Sequence, residues 1–220
     1  KYLTRALEPL VEKLESYKLS NNFQQAFFLS AVLLEEMTKT IQNADDSNGD
    51  IGYFVDTAVE ALHDIASSDN LDATLKKEIF EYCIQVYNKK LFLGWDWHLG
   101  ILEVAEKLAK NETDVDLLIS CLNKTDSDYQ RERAQMSILK LLHQYKTQKE
   151  VSQFIEANLS NSRIRKMEIQ KAIENKNFEY AKKLCIDGIE IDQKEKPGLA
   201  IDWYRFLLKI AQAENEVSEI

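Results

Sequence analysis

An all-α fold of about eleven helices is what the sequence predicts, on three observations. Apolar residues recur at helical spacing along almost all of the 220 residues. Six glycines and two prolines are too few to punctuate a sheet-rich chain of this length, in which turns recur every ~8–12 residues. The breaks that do occur are short polar clusters of the kind that cap helices. An apolar share of 45% is enough to build a core.

Read from these breaks, helices are expected over residues 2–18, 22–42, 51–67, 71–89, 96–110, 113–123, 127–145, 148–159, 162–174, 177–192 and 199–213. In the first, Pro9 either opens the helix and leaves 2–7 as a separate turn, or kinks a longer one. The second contains the longest apolar run, "AFFLSAVLL" from Ala26 to Leu34, closed by Glu35 and Glu36. It is shorter than the ~18 uncharged apolar residues that span a bilayer, so a buried helix is expected. At the start of the third, Gly49 and Gly52 allow positive φ, and Asp50 is expected to cap a helix that begins at Ile51. Asp69, Asp96, Thr125 and Ser160 or Asn161 are the expected caps of later helices. The fifth carries Ile101, Leu102, Val104, Ala105, Leu108 and Ala109 on one stripe. "KEKPGLA", Lys194 to Ala200, should end the tenth, because Pro197 disfavours helical geometry in the residue before it. The last presents Trp203, Phe206, Leu207, Ile210 and Ala211 together, and the polar "AENEVSEI" after it is expected to fray.

Internal similarity chooses between a bundle and a stack of hairpins. Ser20-x-x-Phe23-x-x-Ala26-x-x-Leu29 recurs as Asn175-x-x-Phe178-x-x-Ala181-x-x-Leu184, each followed by a second amphipathic helix. Leu62, Ile65 and Ala66 answer Leu207, Ile210 and Ala211. This small-x-x-aromatic-x-x-Ala pattern resembles the first helix of a tetratricopeptide-type hairpin, although Ser20 and Asn175 replace glycine and the strict 34-residue period is absent. The resemblance implies an irregular αα-superhelix, a TPR-like solenoid, forming a single helical-repeat domain over 1–220. With Lys1 rather than Met at its start and no signal-peptide pattern, the sequence is read as a segment of a longer cytoplasmic protein.

Charge narrows the possible partners. With 28 basic against 37 acidic residues the formal charge is −9, which opposes condensation on nucleic-acid phosphates. Its distribution is uneven. Residues 43–72 hold eight acidic side chains and no Lys or Arg, whereas 149–183 hold eight basic and five acidic ones. Cys83, Cys121 and Cys185 are odd in number and widely spaced, as reduced buried thiols are.

"NADDSNGDIGYF", Asn43 to Phe54, poses a choice between a cation loop and a turn. Placing Gly49 at the sixth position of an EF-hand loop puts Ala44 and Val55 where Asp and Glu must stand, so a turn is expected. The longer stretch "DDSNGDIGYFVDTAVEALHDIA", Asp45 to Ala66, resembles the helical region that follows the finger in bacterial SWIM zinc-finger proteins. Asp45, Asp46, Ser47 and Gly49 carry the match. "NFEYAKKLCIDGIEI" and "IDWYRFLLKIAQ" are similar to hairpins near the end of such proteins. The resemblance implies a tail domain whose zinc module, Cys-x-Cys with Cys-x-His, lies upstream of Lys1. None of those pairs occurs here, and no metal or cofactor is expected in this segment.

Two clusters stand out as possible partner-binding residues. "GWDWHLG", Gly94 to Gly100, offers Trp95 and Trp97 with His98 as a polar handle, against a plainer reading in which the rings seat a helix start in the core. "NSRIRKMEIQKAIENK", Asn161 to Lys176, offers Arg163, Arg165 and Lys166 to a partner or to a nucleic-acid backbone. Glu168 and Glu174 interleave as they do on a solvated face. No Ser-His-Asp, Cys-His, paired-carboxylate or glycine-rich phosphate pattern is present, so no catalytic residue is assigned and no enzyme is expected. The expected function is a non-catalytic scaffold for a protein or peptide partner, with accessory nucleic-acid binding through the basic helix 161–176 as the alternative and no membrane partner.

Overall fold

The computed structural model describes residues 2–92, 95–125, 128–194 and 196–218. It is all-helical, with no strand among the described residues. Eleven helices follow in order: α1 (Tyr2–Leu19), α2 (Phe23–Ile41), α3 (Asp50–Ala66), α4 (Ala73–Asn88), α5 (Trp97–Leu108), α6 (Glu112–Leu122), α7 (Asp128–Tyr145), α8 (Gln148–Ala157), α9 (Ser162–Glu174), α10 (Phe178–Asp192) and α11 (Pro197–Ser218). None is long and apolar enough to cross a membrane. Their contacts divide into two compact units, Lys1–Gln130 and Arg131–Ile220.

In the first unit α2 and α3 form the central hairpin, α1 lies on both, α5 packs on α3 and α4, and α6 on α4 and α5. α3 therefore needs an unusually broad apolar surface. Ile51, Phe54, Val55, Ala58, Val59, Leu62 and Ile65 are all buried, a wider stripe than one neighbour would require. α2 buries one face, through Ala26, Leu33, Leu34 and Met37, and leaves Phe28 68% exposed. The apolar run is thus half a core face rather than a wholly buried rod. Lys18 ties α1 to α3 through Asp64 at 2.7 Å, and Lys107 on α5 donates to the His63 carbonyl and Ser67 Oγ at the end of α3.

In the second unit α10 packs on α11 and α9. Ile169, Ala172, Ala181, Leu184, Cys185, Trp203 and Ile210 make its core, with Phe178, Phe206 and Leu207 against it. Asn161 does two jobs here. Its Oδ1 accepts the N–H groups of Arg163 and Ile164 as the cap of α9, while its Nδ2 donates to the Glu132 carbonyl and to Gln135 of α7.

Several local expectations change. Pro9 sits inside one continuous α1. The turn before α3 is capped by Asp46, whose two carboxylate oxygens accept the N–H groups of Ile51 and Gly52 at 2.7 and 2.8 Å. Asp50 is the first helical residue and accepts from Thr4 instead. Gly49 takes positive φ, at 73°, but Gly52 is helical; a Cβ there would meet the Asp46 carboxylate at 3.4 Å. Asp72, rather than Asp69, caps α4, and Asp96 makes no capping bond to α5. Thr125 lies before residues 126–127, which are outside the described set. Pro197 opens α11 at a position where its missing N–H has no helical partner to lose. The helix then continues to Ser218 through most of the segment expected to fray.

Candidate functional site

Trp95 and Trp97 stack on each other, with centroids 4.9 Å apart and planes inclined by 19°. Trp95 is 40% exposed, so it is not the core residue that the plainer reading expected. Trp97 lies over Gly52, and its indole N–H donates to Asp56 Oδ1 at 2.6 Å, which fastens the start of α5 to α3. Gly94 of the same motif lies outside the described residues. The buried members are His98, 5% exposed, Leu99 and Gly100.

His98 faces away from the tryptophan pair in its partnership. Its ring stacks on Tyr87 of α4 at 4.1 Å, and the Tyr87 hydroxyl donates to the Cys121 carbonyl at the end of α6. These two rings, with Asn88, Lys90 and Lys124, line a recess of 360 Å³. It brings together residues up to 37 positions apart in sequence, and no local spacing announced it. The tryptophans do not line it.

The basic helix divides differently from the sequence expectation. Arg165 is 1% exposed, because helical periodicity turns it toward the core between Ile164 and Ile169. Its guanidinium lies over the Trp203 ring at 5.4 Å, and its Nη1 stands 3.7 Å from Asp192 Oδ2. That oxygen accepts the Trp203 indole N–H at 2.7 Å, while Arg165 Nε and Nη1 are buried without a hydrogen-bond partner. Burial pulls the Arg165 pKa below its ordinary value, and the nearby Asp192 opposes that shift. Arg165 is therefore unavailable to a partner or a phosphate backbone. Lys166 is half-buried, binds Asp202 at 2.6 Å, and holds that carboxyl below its usual range. Arg163 alone of the three is fully on the surface. Lys171 and Glu168 form an i, i+3 pair at 3.7 Å.

A further surface was missed. α11 turns Trp203 and Ile210 inward and exposes Ile201, Tyr204 and Leu208 to 53, 56 and 62%. Their i, i+3, i+7 spacing aligns them on one outer stripe. The signal was present in the sequence, but the inward stripe of the same helix was easier to see. Among the described residues no group of three His, Cys, Asp or Glu side chains could hold a metal ion. The three thiols are buried, and burial raises the pKa of each.

The class defined by this fold is an all-α protein of packed helical hairpins. In comparisons with known proteins, no family model, no curated protein and no solved structure matches the chain.

Proposed function

We propose that the chain is a non-catalytic helical-repeat scaffold that binds a protein or peptide partner. The observation that carries this reading is the exposed apolar stripe of α11, Ile201, Tyr204 and Leu208, on a helix whose opposite side is already buried in its own core. Anchors at i, i+3 and i+7 are the pattern by which helices are recognised along an apolar face. Buried thiols with raised pKa values suit packing rather than nucleophilic attack. The likeness of Asp45–Ala66 to the region behind a SWIM finger supports a place as the tail of such a protein, with a Cys-x-Cys and Cys-x-His module encoded ahead of Lys1. Nucleic-acid binding through 161–176 has less support, since Arg165 is buried and Lys166 is engaged by Asp202.

The test places a photo-cross-linking residue at Tyr204 in the full chain. A defined partner should be captured, and capture should be lost when Ile201→Lys and Leu208→Lys are added. These exposed substitutions should leave stability within about 0.5 kcal/mol of the parent. Equal capture with and without the lysines would overturn the assignment.

A further inference from the structure

We propose that the recess formed by the ends of α4 and α6 and the start of α5 binds a small tetrahedral oxyanion carrying two charges, a phosphate or phosphomonoester group. Among the described residues Tyr87, Asn88, Lys90, His98 and Lys124 line it, and none of these is acidic. That composition is unusual for its surroundings. The unit that contains it, residues 1–130, has 12 basic and 23 acidic side chains, a formal charge of −11.

Each lysine follows a helix end by two positions: α4 stops at Asn88 and α6 at Leu122. A cation there offsets the partial negative charge of the helix terminus, about half an elementary charge. That accounts for either lysine singly. Two termini together contribute about one negative charge against two positive ones, so the described lining residues and helix ends leave a positive balance. The convergence of both lysines on one concavity with a buried imidazole goes beyond neutralising helix ends.

The geometry is also fixed. His98 is held by its stack on Tyr87, and Tyr87 by its bond to Cys121. Lys90 adopts the left-handed conformation, at φ 55°, in the turn where Lys90 N–H bonds the Tyr87 carbonyl and Leu91 N–H bonds that of Val86. Two ammonium groups and the Asn88 amide supply several donors, matching the acceptor-only oxygens of a phosphate dianion. A volume of 360 Å³ is at the small end of ligand sites, which begin at roughly 300 Å³.

The experiment titrates the full chain with inorganic phosphate at constant ionic strength, following the histidine ring resonances by NMR, with chloride and acetate as control anions. His98 should shift saturably with a midpoint of about 1 mM or tighter, while His63 and His143 stay in place. Acetate and chloride should produce no saturation. Lys90→Gln together with Lys124→Gln should weaken the midpoint at least about tenfold while the backbone amide spectrum stays folded. A His98 ring that does not respond, or a response unchanged by the double substitution or matched by chloride, would overturn the proposal.

Discussion

Gly188 stands where the second unit has no room for a side chain. A Cβ added there would stand 2.9 Å from Trp203 Cε2 and Nε1 and 3.0 Å from Arg165 Nη1. Trp203 is fully buried and bonded to Asp192, so the ring has no room to yield. Gly188→Ala should therefore destabilise the protein, since overpacking costs about 1–3 kcal/mol and exceeds the ~1 kcal/mol that alanine gains in helix propensity. Urea unfolding followed by tryptophan fluorescence measures the difference. Gly198→Ala is the control; nothing lies within 4 Å of its Cβ position, and it should be neutral or mildly stabilising. None of this contact was legible in the sequence. Arg165 sits in a run with four other basic residues, and its burial depends on a tryptophan 38 positions later and a glycine 23 positions later. Composition showed the charge of that helix but could not show which of its cations the core would claim.

At the scale of the helical element, three turns repeat one device. Asn21, Lys90 and Lys176 all take positive φ, at 56, 55 and 57°, two positions after a helix end. In each, the next residue's N–H reaches back five positions: Asn22 to the Tyr17 carbonyl, Leu91 to Val86 and Asn177 to Ala172. This is the Schellman arrangement, which glycine usually occupies. Here the left-handed residue is Asn or Lys, which is why so few glycines suffice for eleven helices. Lys176→Gly should raise stability by about 1 kcal/mol, because a non-glycine residue in that region costs about 1–2 kcal/mol and glycine's extra chain entropy returns part of it. Asn21→Gly should gain less, since asparagine tolerates the conformation better. Thermal unfolding monitored by circular dichroism separates the two. The repeat noticed between Ser20–Leu29 and Asn175–Leu184 corresponds to these turns: α1–α2 and α9–α10 are joined by the same three-residue link with the same backbone bonds. All eleven helices were legible, because every apolar stripe had a period to follow. Their caps were less so. Asp46 acts from five residues away across a left-handed glycine, a reach that adjacent-residue capping rules do not anticipate.

Across the whole chain, the two units divide the charge very unequally. Residues 1–130 carry −11, whereas residues 131–220, with 16 basic and 14 acidic side chains, carry +2. The acidic stretch at 43–72 announced part of this asymmetry, and the basic excess at 149–183 another part. The division into units was not announced, since no proline-rich or glycine-rich linker marks residue 130. Each unit has sealed sulfur inside it: Cys83 and Cys121 in the first, Cys185 in the second. Burial pushes the Cys185 thiol up to about 11 from 9.0 and raises Cys83 further in the same direction. The folded chain thus holds these protons more tightly than the unfolded one. Their contribution to stability is complete below about pH 9 and fades as alkalinity rises past it. An alkylating reagent can meet such a sulfur only while its surroundings gape, so the rate of labelling becomes a covalent log of how often each half of the chain breathes. Iodoacetamide at neutral pH should mark all three far more slowly than in urea-unfolded chain, and Gly188→Ala should hasten Cys185, both read by mass spectrometry of the peptides.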